Sequence, residues 1–382
     1  MKNQNELSRE KLNNIILLDP QNFTPLTRTP WAGFEIANTV KTGVLRDRKI
    51  AIGESWEVSC DLEFPSNIFN DCQNLSLTSL ISSYPELCLS SEFVKKKGPS
   101  LDILVKLINA SNPLSLQIHP SDNNKSLKEN ECGKPESWLI LSSEKDAGVF
   151  LGFRPDITKD QLATKLKSGQ FQKEDLHFVP CSPGDFFEIE PGMPHAVGSG
   201  LTVFEPQRIQ AGRKGVTWRM WDWNRTYDSN GQEAPDGSPR ALHIDQSLEL
   251  LSEQSQLNGN QLHKASSRKP ETVTLSNGVK VNYYPENNWY QVTSVFLDVG
   301  LSIAIDRTFL NGSITCLAGG LDSKSKSHQL VSLPQGFSGF IPNSSLSLEL
   351  TATKDSTHVV FVRSTTTATK DVRFVSSVPN IK

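Results

Sequence analysis

Two histidines, a glutamine and a glutamate carry the chemistry that can be read from this sequence. In LSLQIHPSD (114–122), Ser115, Gln117 and His119 alternate with Leu114, Leu116 and Ile118. On an extended segment this aims an amide oxygen and an imidazole the same way from an apolar back. Pro120 ends that strand, the polar stretch 121–131 is a loop or short helix, and GKPESW (133–138) starts the next strand at Glu136. Further on, GDFFEIEPGMPHA (184–196) is a glycine turn, an apolar strand and a Pro/Gly kink that deliver His195 at the start of another strand. A lone histidine on a strand is more often a satisfied core or surface group than a ligand. Gln117, His119, Glu136 and His195 together are a different matter, because all four stand at strand ends. Nitrogen and oxygen donors without a thiolate suit Zn²⁺, Mn²⁺, Fe²⁺ or Ni²⁺. With a single carboxylate among them, a bound divalent ion keeps about one net positive charge and stays useful as a Lewis acid.

The elements that must position these donors are mostly short strands. Residues 15–18 form a short edge strand, 50–60 a strand around GESWE, and 101–108 (LDILVKLI) a strongly apolar strand with Lys106 inside it. A lysine there is either purposefully buried or a solvated edge residue. The later part of 64–98 has apolar residues at helical spacing and predicts a small helical insertion near 66–98. A strand spans 149–154, and 156–168 is a helix opened by Asp156 as N-cap. LTVFEPQ (201–207) follows His195 as its hairpin partner. A helix near 245–256 leads into a polar linker, 258–270, and from 273 to 378 short strands alternate with turns. The expected fold is mainly β: a metal-binding domain over 1–245 carrying the insertion, a helix and linker over 246–270, and a second β-barrel over 271–382.

Bulk composition narrows the function classes. Among 382 residues, 39 Lys and Arg face 42 Asp and Glu, a net charge of −3 that argues against general nucleic-acid binding. Six cysteines (Cys60, Cys72, Cys88, Cys132, Cys181 and Cys316) form no CxxC pair, which fits reduced cytosolic thiols better than a disulfide framework. The polar N-terminus lacks a signal-peptide core, and no apolar run approaches the ~18 residues of a membrane span. A cytoplasmic protein with a small-molecule substrate is expected; the oligomeric state is not legible. Positive charge is concentrated locally: Arg208, Arg213, Lys214, Arg219 and Arg225 stand against one acid, Asp222, between residues 206 and 225. The bland alternative is a surface pair between Asp222 and Arg219 or Arg225. Arg219, flanked by Trp218 and Trp221, is the better candidate for an inward role, whereas Arg240 reads as a polar turn residue with none.

The arrangement resembles the cupin barrel, with QxH where many cupins have HxH, and in that variant it is similar to type I phosphomannose isomerases. The resemblance rests on GESWE (53–57), QIHPSD (117–122) and GKPE (133–136), with further blocks at 30–33, 103–108, 191–196, 205–207 and 217–225. It implies a jelly-roll barrel and one zinc per chain on Gln117, His119, Glu136 and His195. Ser115 and Lys106 follow as substrate-binding residues, and Lys134, Glu205 and Arg219 as catalytic ones. The expected reaction interconverts mannose 6-phosphate and fructose 6-phosphate by moving a proton between C1 and C2 through a cis-enediol. Glu205 ranks first as the base, Lys134 or metal-bound hydroxide second. Gly133 stands where the long form of the family has His, and PQRIQAGRKG (206–215) lacks the family's Ser-Asp pair. Other classes are a metal cupin of different chemistry, such as a dioxygenase, and a non-catalytic sugar-binding cupin. Iron dioxygenases favour two His and one carboxylate with open positions, which Gln117 fits less well.

Overall fold

The computed structural model describes residues 11–71, 74–252, 258–306, 311–345, 347–365 and 373–376. Antiparallel strands dominate it, gathered into two sandwiches. In the N-terminal unit, one sheet runs in the order Ser267–Arg268, Phe186–Ile189, Glu136–Ser143, Leu201–Arg208, Ile103–Ala110 and Glu54–Val58. The facing sheet runs Trp218–Trp221, Leu116–Ile118, His195–Val197, Gly148–Phe153 and Leu176–Pro180. A second pair of sheets, of seven and five strands, forms the C-terminal unit. This is the mainly β architecture that the strand pattern predicts, in the jelly-roll form that the resemblance implies.

Several local expectations change. LTVFEPQ is not the hairpin partner of the His195 strand: Leu201–Arg208 pairs with Ile103–Ala110 and Glu136–Ser143 in the opposite sheet, while His195–Val197 pairs with Leu116–Ile118 and Gly148–Phe153. The turn at 198–200 is what allows the chain to change sheets. A Cβ on Gly198 would lie 2.1 Å from the Gly148 carbonyl oxygen, and Gly200 takes φ +78°. The helix expected from Asp156 starts later, at Lys159–Ser168. Its N-cap is Thr158, which forms a reciprocal capping box with Gln161. The supposed polar linker contains the helix Gly259–Ser266 and the edge strand Ser267–Arg268. The preceding helix is Ile244–Ser252, and the expected extension over 253–256 lies outside the described residues.

The two units share a core. Ile16–Leu17 is an edge strand as expected, but of the C-terminal sheet, where it pairs with Ser338–Ile341. Three short helices, Leu77–Ser83, Pro85–Cys88 and Ser91–Lys97, supply Leu77, Leu80, Ile81, Cys88 and Phe93 to a cluster that also holds Val105, Phe204, Tyr290 and Val360. A buried ion pair of the N-terminal unit is bonded across the same junction: Lys41 Nζ lies 2.7 Å from Glu57 and donates to the Gly336 carbonyl at 2.7 Å. Glu57 also accepts from Ser55 and Ser338, each at 2.6 Å. Such a pair contributes little net stability when whole, but removing either partner strands a buried charge. Cys60, Cys88, Cys132, Cys181 and Cys316 are free thiols, and Cys72 lies outside the described residues.

Candidate metal centre and active site

Strand register brings His119, Glu136 and His195 together from both sheets and sets Gln117 on the strand beside His195. His195 stands directly across from Gln117 on adjacent strands, His119 follows at the end of the Gln117 strand, and Glu136 reaches in from the facing sheet. His119 Nε2 and His195 Nε2 lie 3.3 and 3.2 Å from the two carboxylate oxygens of Glu136. Ligand atoms from these three residues all fall within 4.8 Å of one another, and all three side chains are buried. The ring orientation is fixed from behind, since His119 Nδ1 lies 3.1 Å from the Val216 carbonyl and His195 Nδ1 lies 2.7 Å from that of Met193. With Nδ1–H donating to a carbonyl, each Nε2 carries the lone pair. Both Nε2 atoms are buried without a hydrogen-bond partner, which suits a cation and is costly otherwise. Gln117 Nε2 donates to Ser115 Oγ at 3.2 Å, which leaves its oxygen as the remaining donor.

Charge around the centre is dense and paired. Burial together with Lys134 pushes His119 down to about 3, so its imidazole is neutral. Burial opposes the charge on Glu136, yet Lys134 at 3.2 Å and the two histidines hold it well below the usual carboxylate range. Lys106 sits on a central strand rather than an edge, between Glu54 at 3.6 Å and Glu205 at 3.5 Å, with its ammonium 4.7 Å from the centre of the Trp56 ring. Burial works against that ammonium, and the two carboxylates outweigh it and keep its pKa raised. Glu205 is pushed the other way, up to about 7, by burial and by Glu136. Its oxygens are engaged by Trp138 Nε1 at 3.0 Å and Gln207 Nε2 at 2.7 Å.

A cavity of about 190 Å³ opens beside this cluster, and its wall includes Lys106, Gln117, Lys134 and Arg219. Glu205 is not part of that wall; it stands behind Lys106. Ser115 also lies behind, where its hydroxyl accepts from Arg219 Nε at 3.3 Å. Of the five basic residues between 206 and 225, only Lys214 and Arg219 line the cavity, and Lys214 is paired with Glu63 at 3.0 Å. Arg208 is held by Asp122 at 2.9 Å, and Arg213 donates to the Glu131 carbonyl at 3.3 Å. Asp222 pairs with Arg225 at 2.8 Å and Arg240 at 2.7 Å, but buried rather than at the surface.

Arg240, read from sequence as a turn residue without a role, therefore needs correcting: it lines the cavity and lies 5.4 Å over the Trp31 ring. Arg28 and Gln207 are the other residues missed. The signal for Gln207 was available, because it sits two residues from Glu205 on one strand and so shares its face. Gln207 Nε2 bonds Glu136 at 2.9 Å as well as Glu205. Arg28 had no local signal; it reaches the site by lying 4.9 Å over the ring of Trp56 in the GESWE strand. Cys132 lies in the short strand Glu131–Cys132 and is buried. At Gly133 a Cβ would come within 2.7 Å of the Pro120 oxygen and 2.9 Å of the Asp122 nitrogen, so a histidine cannot stand there without displacing the metal-site loop.

No protein-family model matches the chain. It is 28% identical over 239 residues to the mannose-6-phosphate isomerase ManA of Bacillus subtilis, covering 62% of this chain and 69% of that relative. The crystal structure of the mannose 6-phosphate isomerase from Bacillus subtilis superposes with a TM-score of 0.70 at 20% identity, over 92% of this chain and 99% of that one. A crystal structure of mannose 6-phosphate isomerase bound with zinc and yttrium superposes with a TM-score of 0.63 at 14% identity, again over 92% and 99% of the two chains. In sequence and in fold, the chain thus resembles the type I phosphomannose isomerases of the cupin superfamily.

Proposed function

We propose that the chain interconverts mannose 6-phosphate and fructose 6-phosphate, with proton transfer between C1 and C2 of the open sugar through a cis-enediol. The observation that carries this reading is the pair of bare, buried imidazole nitrogens facing Glu136, set beside a cavity walled by Lys106, Lys134 and Arg219. The names of its relatives point the same way. Gln117, His119, Glu136 and His195 would hold one divalent ion per chain, zinc by the nature of the donors and by the zinc in a structural neighbour. Once bound, such an ion supplies Lewis-acid stabilisation of negative charge on the sugar oxygens.

The remaining work falls to side chains. Lys134 lines the cavity, with its Nζ 3.2 Å from Glu136, and is the group best placed to carry the proton between C1 and C2. Glu205, first choice from sequence, reaches the cavity only past Lys106 and serves better to hold Lys106, Trp138 and Gln207 in place. Lys106, Arg219, Arg240 and Arg28 offer the positive charge that a phosphate dianion requires, as separate side chains rather than a glycine-rich loop. A dioxygenase has no use for this density of cations. The free thiols of the described cysteines support a reducing compartment, the cytoplasm.

A coupled assay for fructose 6-phosphate from mannose 6-phosphate tests the reading. Turnover should vanish when a chelator strips the protein and return on adding zinc. Failure of metal-replete protein to form product would end the isomerase proposal. Turnover of fructose 6-phosphate in D₂O should place deuterium at C2 of the mannose 6-phosphate formed, at a level reduced by slow exchange in a closed site. Complete retention of the original hydrogen would replace proton transfer by hydride transfer.

A further inference from the structure

The strand Leu201–Arg208 runs through the middle of its sheet, yet it contains Pro206, a residue confined almost entirely to edges and bulges because it has no N–H for the ladder. Its pairing with Glu136–Ser143 is interrupted at that point: Phe204 pairs with Leu139 and Gln207 with Glu136, and no pair forms between them. Ser137 and Pro206 face one another in the gap. On an extended strand alternate residues point to opposite faces. Glu136 and Trp138 therefore point with Glu205 and Gln207 toward the metal centre, while Ser137 and Pro206 turn toward the C-terminal unit.

One side chain from that unit fills the gap. Tyr290 opens the strand Tyr290–Leu297, where Asn287 Oδ1 accepts the backbone N–H of both Trp289 and Tyr290, each at 2.9 Å. Its hydroxyl donates to the Pro206 carbonyl at 3.0 Å and lies 3.0 Å from Ser137 Oγ, which is left to donate to it. The ring is 1% exposed. Burial, with the carboxylates of Glu136 and Glu188 nearby, keeps the phenol protonated well above its ordinary range, as a donor must be. One hydroxyl thus ties together the two peptide segments whose neighbouring side chains are Glu136 and Trp138 on one strand, Glu205 and Gln207 on the other. Those four are bonded in series on the front face, Trp138 to Glu205, Glu205 to Gln207 and Gln207 to Glu136.

We infer that Tyr290 is a positioning residue for the metal centre: from the C-terminal unit, it fixes the separation of the Glu136 and Glu205 strands where the backbone ladder is broken by Pro206. The isomerase arm of the test rests on the proposed function, whereas the metal arm does not. Tyr290→Phe keeps the ring and removes the tie. In the full-length protein, zinc affinity measured by competition with a chromophoric chelator should weaken about tenfold, as when a group supporting a metal ligand is lost. Turnover of mannose 6-phosphate should drop by a similar factor in kcat, with KM within twofold of wild type, because the cavity wall itself is untouched. A residue that only supports folding would lower the melting temperature and leave zinc affinity and kcat at wild-type values, and that result overturns the inference. Ser137→Ala removes the second bond of the hydroxyl without emptying the junction, so it should move zinc affinity in the same direction by a smaller factor. If Tyr290→Phe fails to fold, wild-type zinc affinity in Ser137→Ala still overturns the inference. Absence of isomerase activity in the wild type would refute the proposed reaction alone.

Discussion

Between the sheets of the C-terminal unit lie Val281, Val295, Ile303, Ile314, Leu321, Leu348, Leu350 and Val359, a continuous apolar filling. The corresponding space in the N-terminal unit is divided: Ile108, Ile140, Val149, Leu151, Val197 and Val203 form an apolar cluster, and beside it lie Glu54, Lys106, His119, Glu136, His195, Glu205 and Gln207, all buried. Both are antiparallel sandwiches, so the contrast lies in the inward-facing residues, not in the backbone. Taking ions out of water costs several kcal/mol each, and pairing only roughly offsets it. Apolar burial returns about 25 cal/mol per Å² instead. A barrel that gives part of its interior to polar groups is therefore a weaker source of stability there and a good place for chemistry. Its apolar partner, sharing one core cluster with it, can support what it cannot supply itself.

The sharpest way to break this contrast is to remove a donor from the polar unit. His195→Ala or His119→Ala should weaken zinc binding by on the order of 100-fold or more and reduce turnover to background, since the donors left behind seldom hold zinc tightly. Metal analysis of purified variants checks this. Full occupancy in both would remove the two histidines from the centre.

Next in size is Arg219→Ala. Arg219 lies across from Gln117 in the strand register, lines the cavity, and is fixed by Ser115 Oγ at 3.3 Å and the Ala241 carbonyl at 2.8 Å. Losing a charge-assisted contact to phosphate or to the enediolate should cost kcat/KM roughly 100-fold, about 2.7 kcal/mol. Stability should hardly change. Steady-state kinetics equal to wild type would place Arg219 outside the site.

The contrast also explains what could be read in advance. The clustering of His119, Glu136 and His195 was legible because strand position exposes each of them in a short window, whatever the rest of the chain does. Lys106 was ambiguous, since its meaning depends on Glu54 and Glu205, each from a different strand. Arg240 and Arg28 were illegible: they reach the cavity by stacking on Trp31 and Trp56, contacts no local pattern encodes. The sheet change at 198–200 was missed for a related reason. A short glycine turn looks like a hairpin in sequence, and only the close packing of Gly198 on Gly148 shows otherwise. The strands of the apolar unit were visible as strands, but their pairing with Ile16–Leu17, hundreds of residues away, was not.

Truncation within the apolar unit should have the reverse signature. Leu350 is completely buried in its core, so Leu350→Ala should destabilise the chain by about 2–5 kcal/mol, the transfer and cavity cost of the lost atoms. At temperatures where the variant stays folded, zinc affinity and kcat should match wild type. Denaturant titration and kinetics on the same preparation check both halves. A large fall in kcat in the folded variant would mean the two interiors are not energetically separate.

The smallest effect separates the two units by acidity. Each contains a histidine kept neutral by burial: His119 in the metal centre and, in the C-terminal unit, His358, which burial pushes down to about 4. His358 Nε2 lies 2.7 Å from Ser294 Oγ, and its ring stacks on Phe296 with centres 4.2 Å apart. In the unfolded chain an ordinary histidine titrates near 6.5. The folded value is the lower one, so the unfolded state takes up the proton first. The stability associated with the neutral ring is fully present above about pH 6.5 and drains away as pH falls toward 4. At pH 5 this amounts to about 2 kcal/mol for His358, less whatever its partial exposure relieves. His358→Gln has no proton to gain, so its stability should decline less between pH 7 and pH 5 than that of wild type. Urea midpoints at the two pH values, measured on zinc-free protein so that His119 contributes equally to both, give the difference directly. Parallel acid losses in the variant and wild type would show that His358 takes its proton as readily folded as unfolded, leaving the acid sensitivity of the molecule to the metal centre.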